Sequence, residues 1–152
     1  MTLTAPYNCG IDILGGYGKI GPGGSLTRTY NFLPAHDLIR FRFTIYAIDN
    51  WTPADTILIT VDGTDLTFSG ISTSTFPSNL CGGSANDMAF VLAGSILHTG
   101  SSMVLKIVSQ LTAGPTTVSF GIRDVKLEFG TAQPGDTNRV CASSPDDLGV
   151  PQ

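Results

Sequence analysis

The chain is predicted to be an all-β protein, an antiparallel two-sheet β-sandwich (jelly roll) with extended N- and C-terminal segments. Apolar and polar residues alternate with a period of two over several short segments, which is the pattern of strands that bury one face. Turn signals such as Asp62-Gly63 separate these segments, and no stretch predicts a helix of convincing length. Regularly spaced strands of this kind favour two packed antiparallel sheets.

Seven strands are predicted in order, over residues 25–33, 38–48, 56–61, 65–69, 88–93, 102–110 and 117–129. The clearest is the second, where Ile39, Phe41, Phe43 and Ile45 share one face. In the last strand the apolar phase changes after Ile122, so we expect a β-bulge at residues 123–124.

The 152 residues are enough for one domain with a continuous core. We expect a Gly-rich N-terminal segment over residues 1–24 that packs on or beside the sandwich, and a sandwich over residues 25–130. Residues 131–152 form a polar tail without a strand pattern, which is a candidate for contact with a neighbouring subunit.

Composition narrows the class of protein. Charged residues make up only 13% of the chain and hydrophobic ones 41%, so Ser, Thr, Gly and Asn must cover much of the surface, as in many extracellular β-proteins. The formal charge of −4 and the lack of clustered Lys and Arg along the chain argue against nucleic acid as a partner. No apolar run approaches the roughly 18 residues that span a bilayer. We therefore expect an extracellular or cell-surface protein whose leader has been removed or is not included in the sequence.

Several short motifs occur in a fixed order: GGY at residues 15–17, LPAH at 33–36, IDNW at 48–51, VDG at 61–63 and SFGI at 119–122. In these motifs the chain resembles jelly-roll modules, broadly similar to galactose-binding-like β-sandwiches, of large secreted and surface proteins of protists and algae. The likeness covers roughly residues 14–130. The chain has Asn50 where those modules read Ser and Thr52 where they read Asp, which removes one expected acidic ligand.

The three cysteines, Cys9, Cys81 and Cys141, lack the paired spacing of a zinc site. One disulfide and one remaining thiol are expected. A jelly roll favours the pair Cys9–Cys141, because its termini often lie on neighbouring strands, but the other two pairings and three free thiols stay open.

Carboxylates in the turn after residue 48 predict a calcium site, since calcium takes six to eight oxygen ligands in irregular loops. The candidate ligands are Asp49, Asp55 and Asp124, with Asp62 as a weaker candidate and carbonyls of the Gly-rich segment as possible partners. The alternative is structural: Asp49 as a buried turn acceptor, Asp62 in an Asp-Gly hairpin turn and Asp124 at the bulge.

The same turn carries two features that involve sugars. Trp51 and Tyr46 could stack against a sugar ring, whereas the alternative for Trp51 is core packing and anchoring of the turn. Asn50-Trp51-Thr52 satisfies the rule for N-glycosylation, so Asn50 is predicted either to carry a glycan or to be a turn residue.

Catalysis is not predicted. His36 and His98 are the only histidines, no Gly-x-Ser-x-Gly motif accompanies them, and both are expected to bond loop backbone groups. Glu128 is the only Glu, which does not favour the carboxylate pair of a glycosidase.

These observations predict a non-catalytic extracellular structural or adhesive module, stabilised by calcium and self-assembling into a surface filament or coat. The odd cysteine, the polar tail and sheet edges poor in Lys and Glu favour assembly. The alternative function is a carbohydrate-binding, lectin-like module.

Overall fold

The computed structural model describes residues 12–72 and 79–143, and within these ranges every regular element is a β-strand. Accordingly, these ranges hold no helix that could cross a membrane. The strands are β1 (Leu14–Gly15), β2 (Ser25–Tyr30), β3 (Leu38–Asp49), β4 (Thr56–Val61), β5 (Thr64–Phe68), β6 (Met88–Leu97), β7 (Met103–Gln110), β8 (Val118–Gly130) and β9 (Arg139–Ser143).

The strands form two antiparallel sheets that pack face to face. The five-stranded sheet has the order β1-β8-β3-β6-β9, and the four-stranded sheet has the order β2-β7-β4-β5. The predicted fold class, an all-β two-sheet sandwich, is confirmed.

The core lies between the sheets and follows the predicted alternation. Ile39, Phe41, Phe43 and Ile45 of β3 are buried and pack with inward residues of the opposite sheet such as Ile59. Burying an aliphatic or aromatic side chain of this size contributes about 1.5–3 kcal/mol relative to leaving it exposed. The side chains that alternate with these on β3 point away from the core and form part of the outer surface of the sheet.

The predicted bulge in β8 is confirmed. The register between β3 and β8 shifts between Arg42 and Thr44, whose partners are Lys126 and Arg123. Asp124 lies in this interval with a φ of 55°, a left-handed conformation that Asp tolerates better than most residues. The extra residue lets apolar side chains on both halves of β8 face the core.

Both terminal segments add a strand to the five-stranded sheet. β1 belongs to the Gly-rich segment and pairs with β8, while β9 belongs to the tail and pairs with β6. The expectation of a tail without strand is therefore wrong for residues 139–143. A Cβ on Gly94 would lie 2.3 Å from the Arg139 carbonyl oxygen and 2.4 Å from Phe41 Cζ, so the missing side chain is what lets β9 approach β6.

The cysteines depart from the expected pairing. Cys141 is an exposed free thiol on β9, so the predicted Cys9–Cys141 disulfide is wrong. Pairing of β9 with β6 places Cys141 opposite Ala93, on the outer face of the sheet. Cys81 is disulfide-bonded, and Cys9 lies outside the described residues.

Candidate functional site

The turn between β3 and β4 and three residues of the connection between β5 and β6, Ser72, Ala85 and Asn86, line a pocket of about 260 Å³ at one end of the sandwich. We call it the loop pocket. Its lining combines amide and hydroxyl side chains with small apolar surfaces: Asn50, Trp51, Thr52, Pro53, Ser72, Ala85 and Asn86.

The turn begins at Asp49, where β3 ends with a φ of 65°. Asp adopts this left-handed conformation at a lower cost than most side chains, and the chain reverses there. The turn is then fixed by backbone bonds, from Trp51 N to the Asp49 carbonyl at 2.8 Å and from Asn50 N to the Thr117 carbonyl at 3.1 Å. The second bond joins this wall of the pocket to the residue that directly precedes β8.

Asp87 ties the opposite wall to the same turn. Its buried carboxylate accepts hydrogen bonds from Asp49 N at 2.6 Å, Leu80 N at 2.7 Å and Cys81 N at 2.8 Å. The sequence does not single out Asp87, because an Asp between Asn86 and a strand has the same local signal as an ordinary turn residue. Its role is visible only once the two loops are brought together.

The Asp49 carboxylate is buried, with 2% of the residue exposed. Burial raises the pKa of Asp49; the hydrogen bond from Gly83 N lowers it, and the nearby Asp87 charge raises it further. A Cβ on Gly82 would lie 2.7 Å from Asp49 Oδ2 and from Tyr17 Cδ2, so this connection can approach Asp49 only as glycine. Asp49 is thus a buried turn acceptor, the structural alternative considered above.

Asp55 fixes the far end of the turn. Its Oδ2 accepts bonds from Thr52 N at 2.9 Å and Thr52 Oγ1 at 3.1 Å, and its Oδ1 accepts bonds from Thr112 N at 2.7 Å and Thr112 Oγ1 at 2.9 Å. Burial alone would raise the pKa of Asp55, but the bonds from Thr112 and Thr52 outweigh it and lower the pKa. The carboxylate joins the turn to the connection that follows β7.

The predicted calcium ligands do not form one cluster. Asp124 pairs with Arg123 at 3.0 Å, six residues along β8 from Val118, the partner of Asp49, which corresponds to about 20 Å of strand. Asp62 lies at the other end of the sandwich. The described ranges contain no group of three or more His, Cys, Asp or Glu side chains that could hold a metal ion. Calcium binding therefore stays a prediction, without the ligand set first expected.

Trp51 does not present its ring to the surface. Only 1% of the residue is exposed, and its Nε1 donates a 2.7 Å hydrogen bond to the Ser119 carbonyl. The predicted stacking of a sugar on this ring is not supported, since the ring anchors the turn in the core. Tyr46 faces outward from β3 beside Ala89 and Gly121 and is not part of the pocket lining.

Asn50 is exposed at the pocket. Its backbone N–H donates to the Thr117 carbonyl at 3.1 Å. Glycosylation of Asn50 stays a prediction.

The two histidines lie at the opposite end of the sandwich. His36 Nδ1 donates to the Pro34 carbonyl at 2.6 Å, His36 Nε2 lies 2.8 Å from His98 Nδ1, and His98 Nε2 lies 2.8 Å from Asp62 Oδ2. His36 thus bonds a loop carbonyl as expected, whereas His98 bonds side chains. The cluster joins the start of β3, the end of β6 and the turn between β4 and β5.

Comparison with known proteins gives structural likeness only. No protein family matches the chain, and no curated protein matches it in sequence. The chain is similar to the EclA C-terminal domain, described as a sugar-binding protein, with a TM-score of 0.52, 19% identity and 76% of each chain covered. It is also similar to Xyl-CBM35 in complex with a disaccharide containing glucuronic acid, with a TM-score of 0.43, 10% identity and coverage of 88% of this chain and 84% of that one. The likeness to the EclA domain supports the sandwich fold.

Proposed function

We propose that this chain is a non-catalytic, extracellular carbohydrate-binding module that holds a sugar in the loop pocket. The observation that carries the proposal is the lining of the pocket, which combines the polar side chains of Asn50, Ser72 and Asn86 with apolar surface from Pro53 and Ala85. Amides and hydroxyls suit the hydroxyl groups of a sugar, and small apolar surfaces suit its C–H faces. A volume of about 260 Å³ suits a single sugar unit better than a longer ligand.

The frame of the pocket favours binding because it is held before any ligand arrives. Asp49, Asp55 and Asp87 are buried, and each accepts backbone hydrogen bonds that fix a wall of the pocket. Walls that are already held by such bonds lose little conformational entropy on binding, so more of the contact energy is available for affinity.

Two further points favour this function over the filament subunit first predicted. The EclA domain, which shares the fold, is described as sugar-binding. The polar tail had suggested contact with a neighbouring subunit, yet residues 139–143 pair with β6 of the same chain. That part of the tail therefore no longer supports assembly.

The proposal is tested with protein from a bacterial host, in which Asn50 carries no glycan. A glycan array identifies a ligand, and calorimetry then compares wild type with Asn50→Ala and with Asn31→Ala, an exposed Asn at the other end of the sandwich. We expect Asn50→Ala to weaken binding roughly tenfold, as loss of one or two hydrogen bonds would, and Asn31→Ala to leave it unchanged. An array without a ligand, or equal loss in both variants, would contradict the loop pocket.

The same residue tests the predicted glycosylation. Intact mass of the protein secreted from a eukaryotic host, compared with that of Asn50→Gln, reports whether Asn50 is modified. A glycan at Asn50 would lie at the pocket and is expected to abolish the binding seen with the bacterial protein.

A further inference from the structure

The outer face of the five-stranded sheet brings together cations that are far apart in the sequence. Arg40 and Arg42 of β3, Lys126 of β8 and Arg139 of β9 are all exposed and line one groove of about 650 Å³. We call it the basic groove. It holds four of the eight Lys and Arg residues of a chain whose net charge is −4.

The register explains how the groove is built. Arg42 is paired with Lys126 on one side and with Ala93 on the other, and Ala93 is paired with Cys141. Paired residues of neighbouring strands point to the same face, so these side chains form one row across the sheet.

The next row has the same plan. Arg40 is paired with Ser95, which is paired with Arg139, and Glu128 lies on the other side of Arg40. The small side chains of β6 form the floor between the arginines of β3 and the side chains of β9. Two strand spacings give a width of about 10 Å, and the two rows lie about 7 Å apart along the strands.

The charge of the groove is largely uncompensated. The ion pairs within the described ranges are His98–Asp62 and Arg123–Asp124, and none of the four groove cations takes part in one. Among the groove's lining residues the only acid is Glu128. An excess of positive charge on one face of an acidic protein attracts anions to that face.

We infer that the basic groove binds an anionic polysaccharide that carries carboxylate or sulfate groups. Guanidinium groups bind such oxyanions through paired hydrogen bonds, and a width of about 10 Å admits one extended chain. The aromatic lining residue, Phe41, is buried in the core, so the groove offers no platform on which nucleic-acid bases could stack. The choice of a polysaccharide among polyanions rests in part on the proposed function, whereas the charge of the groove does not.

The test uses full-length protein with four probes: dextran sulfate, polygalacturonate, neutral dextran and a single-stranded DNA oligomer. Binding is measured at low and moderate salt for wild type, for Arg42→Ala/Arg139→Ala, and for Arg28→Ala/Lys106→Ala, which removes the same charge from the other sheet. We expect one or both anionic polysaccharides to bind wild type, neutral dextran not to bind, and the groove variant to bind roughly tenfold more weakly with a smaller salt dependence. The control variant is expected to stay within about twofold of wild type, the range of non-contacting surface charges.

The outcomes separate the alternatives. Preference for dextran sulfate or polygalacturonate identifies sulfate or carboxylate as the recognised group. No binding of either polymer, equal loss in both double variants, or equally tight DNA binding through the same residues would overturn the inference. The loop pocket is tested with a separate ligand, the glycan identified on the array, so failure of the loop pocket and failure of the basic groove are distinguishable.

Cys141 provides a second measurement on the wild-type chain, which does not depend on the folding of any variant. Its free thiol lines the groove, so a bound polymer is expected to slow its alkylation by iodoacetamide several-fold, with the site identified by peptide mass. Equal alkylation rates with dextran sulfate, polygalacturonate and neutral dextran would contradict the inference.

Discussion

Asp55→Asn is expected to destabilise the protein by about 3 kcal/mol at neutral pH. The carboxylate is buried, with 1% of the residue exposed, and accepts bonds from the backbone and hydroxyl of both Thr52 and Thr112. Asn keeps one oxygen and presents an NH₂ group to the other pair of donors. One backbone N–H therefore loses its acceptor, which costs about 1–3 kcal/mol, and the remaining bonds lose their charge assistance, which adds a cost of similar size.

The pH dependence follows from the sign of the pKa shift. Burial by itself would raise the pKa of Asp55, but the hydrogen bonds hold it below the ordinary value of 3.8. The ionised carboxylate therefore contributes stability above the unfolded-state pKa, and this contribution is lost as the pH falls through the folded-state pKa. The deficit of the Asn variant is expected to be full at neutral pH and to shrink below pH 3.8.

Urea unfolding followed by the fluorescence of Trp51, the only Trp and a buried one, measures both quantities. Asp65→Asn is the matched control, because Asp65 is an exposed carboxylate on β5 and its substitution is expected to change stability by less than about 0.5 kcal/mol. A deficit below about 1 kcal/mol for the Asp55 variant at pH 7, less than one charge-assisted bond, would refute the reasoning. So would a deficit of the same size at low pH.

Burial raises the pKa of Asp49, so the ionised carboxylate destabilises the folded protein above that raised pKa. Because Asn carries no charge, Asp49→Asn is expected to raise the midpoint of thermal unfolding at pH 7 in EGTA. No gain is expected below pH 3.8, where the wild-type carboxyl is itself neutral. Calcium that stabilises wild type but not this variant would instead identify Asp49 as a ligand. Trp51→Phe removes the buried Nε1 hydrogen bond and is expected to lower the free energy of unfolding by about 2 kcal/mol. The affinity for the glycan is expected to stay unchanged. Loss of glycan binding at unchanged stability would instead support stacking of the sugar on the Trp51 ring. Burial alone would raise the pKa of Asp62, but the Val104 N–H and His98 lower it. Asp62→Asn is therefore expected to lower the free energy of unfolding at pH 7 by about 0.5–1 kcal/mol. This cost is kept small because the Asp62 side chain is 41% exposed and solvent screens its interactions. Urea unfolding is again the measurement, and a cost that persists well below pH 3.8 would contradict the linkage.

The sequence predicted the long strands well because burial on one face imposes a period of two. β3 and β4 carry this period clearly, and the change of phase after Ile122 placed the bulge. The strands β1 and β9 escaped prediction because they are short and depend on their neighbours. β9, for example, can approach β6 only because residue 94 is glycine, and the sequence alone does not show which segment packs against a glycine in a strand.

The candidate site was predicted in part. Asp49 and Asp55 were predicted as calcium ligands; they lie in the turn that lines the loop pocket and accept backbone hydrogen bonds there. The polar and aromatic residues of the turn suggested that a sugar stacks on Trp51. That its ring is buried depends on the packing of the two sheets, which the sequence does not show. The bonds of Asp87 depend on the approach of a loop distant in sequence, which alternation does not encode.

The basic groove shows most clearly what register adds to sequence. Arg40 and Arg42 are neighbours on one face of β3, but Lys126 and Arg139 reach them only through the pairing of β8, β6 and β9. Lys and Arg are sparse along the chain, so the sequence contains no basic cluster. The pairing of the strands nevertheless brings basic side chains together in space. β3 also fixes the distance between the two proposed surfaces, because Arg42 and Asp49 lie seven residues apart on it, about 23 Å along a strand. A single sugar unit therefore occupies one surface or the other, and only an extended chain could contact both. Loss of the groove charges is accordingly expected to leave the affinity for a short neutral sugar unchanged while it weakens binding of a long anionic one.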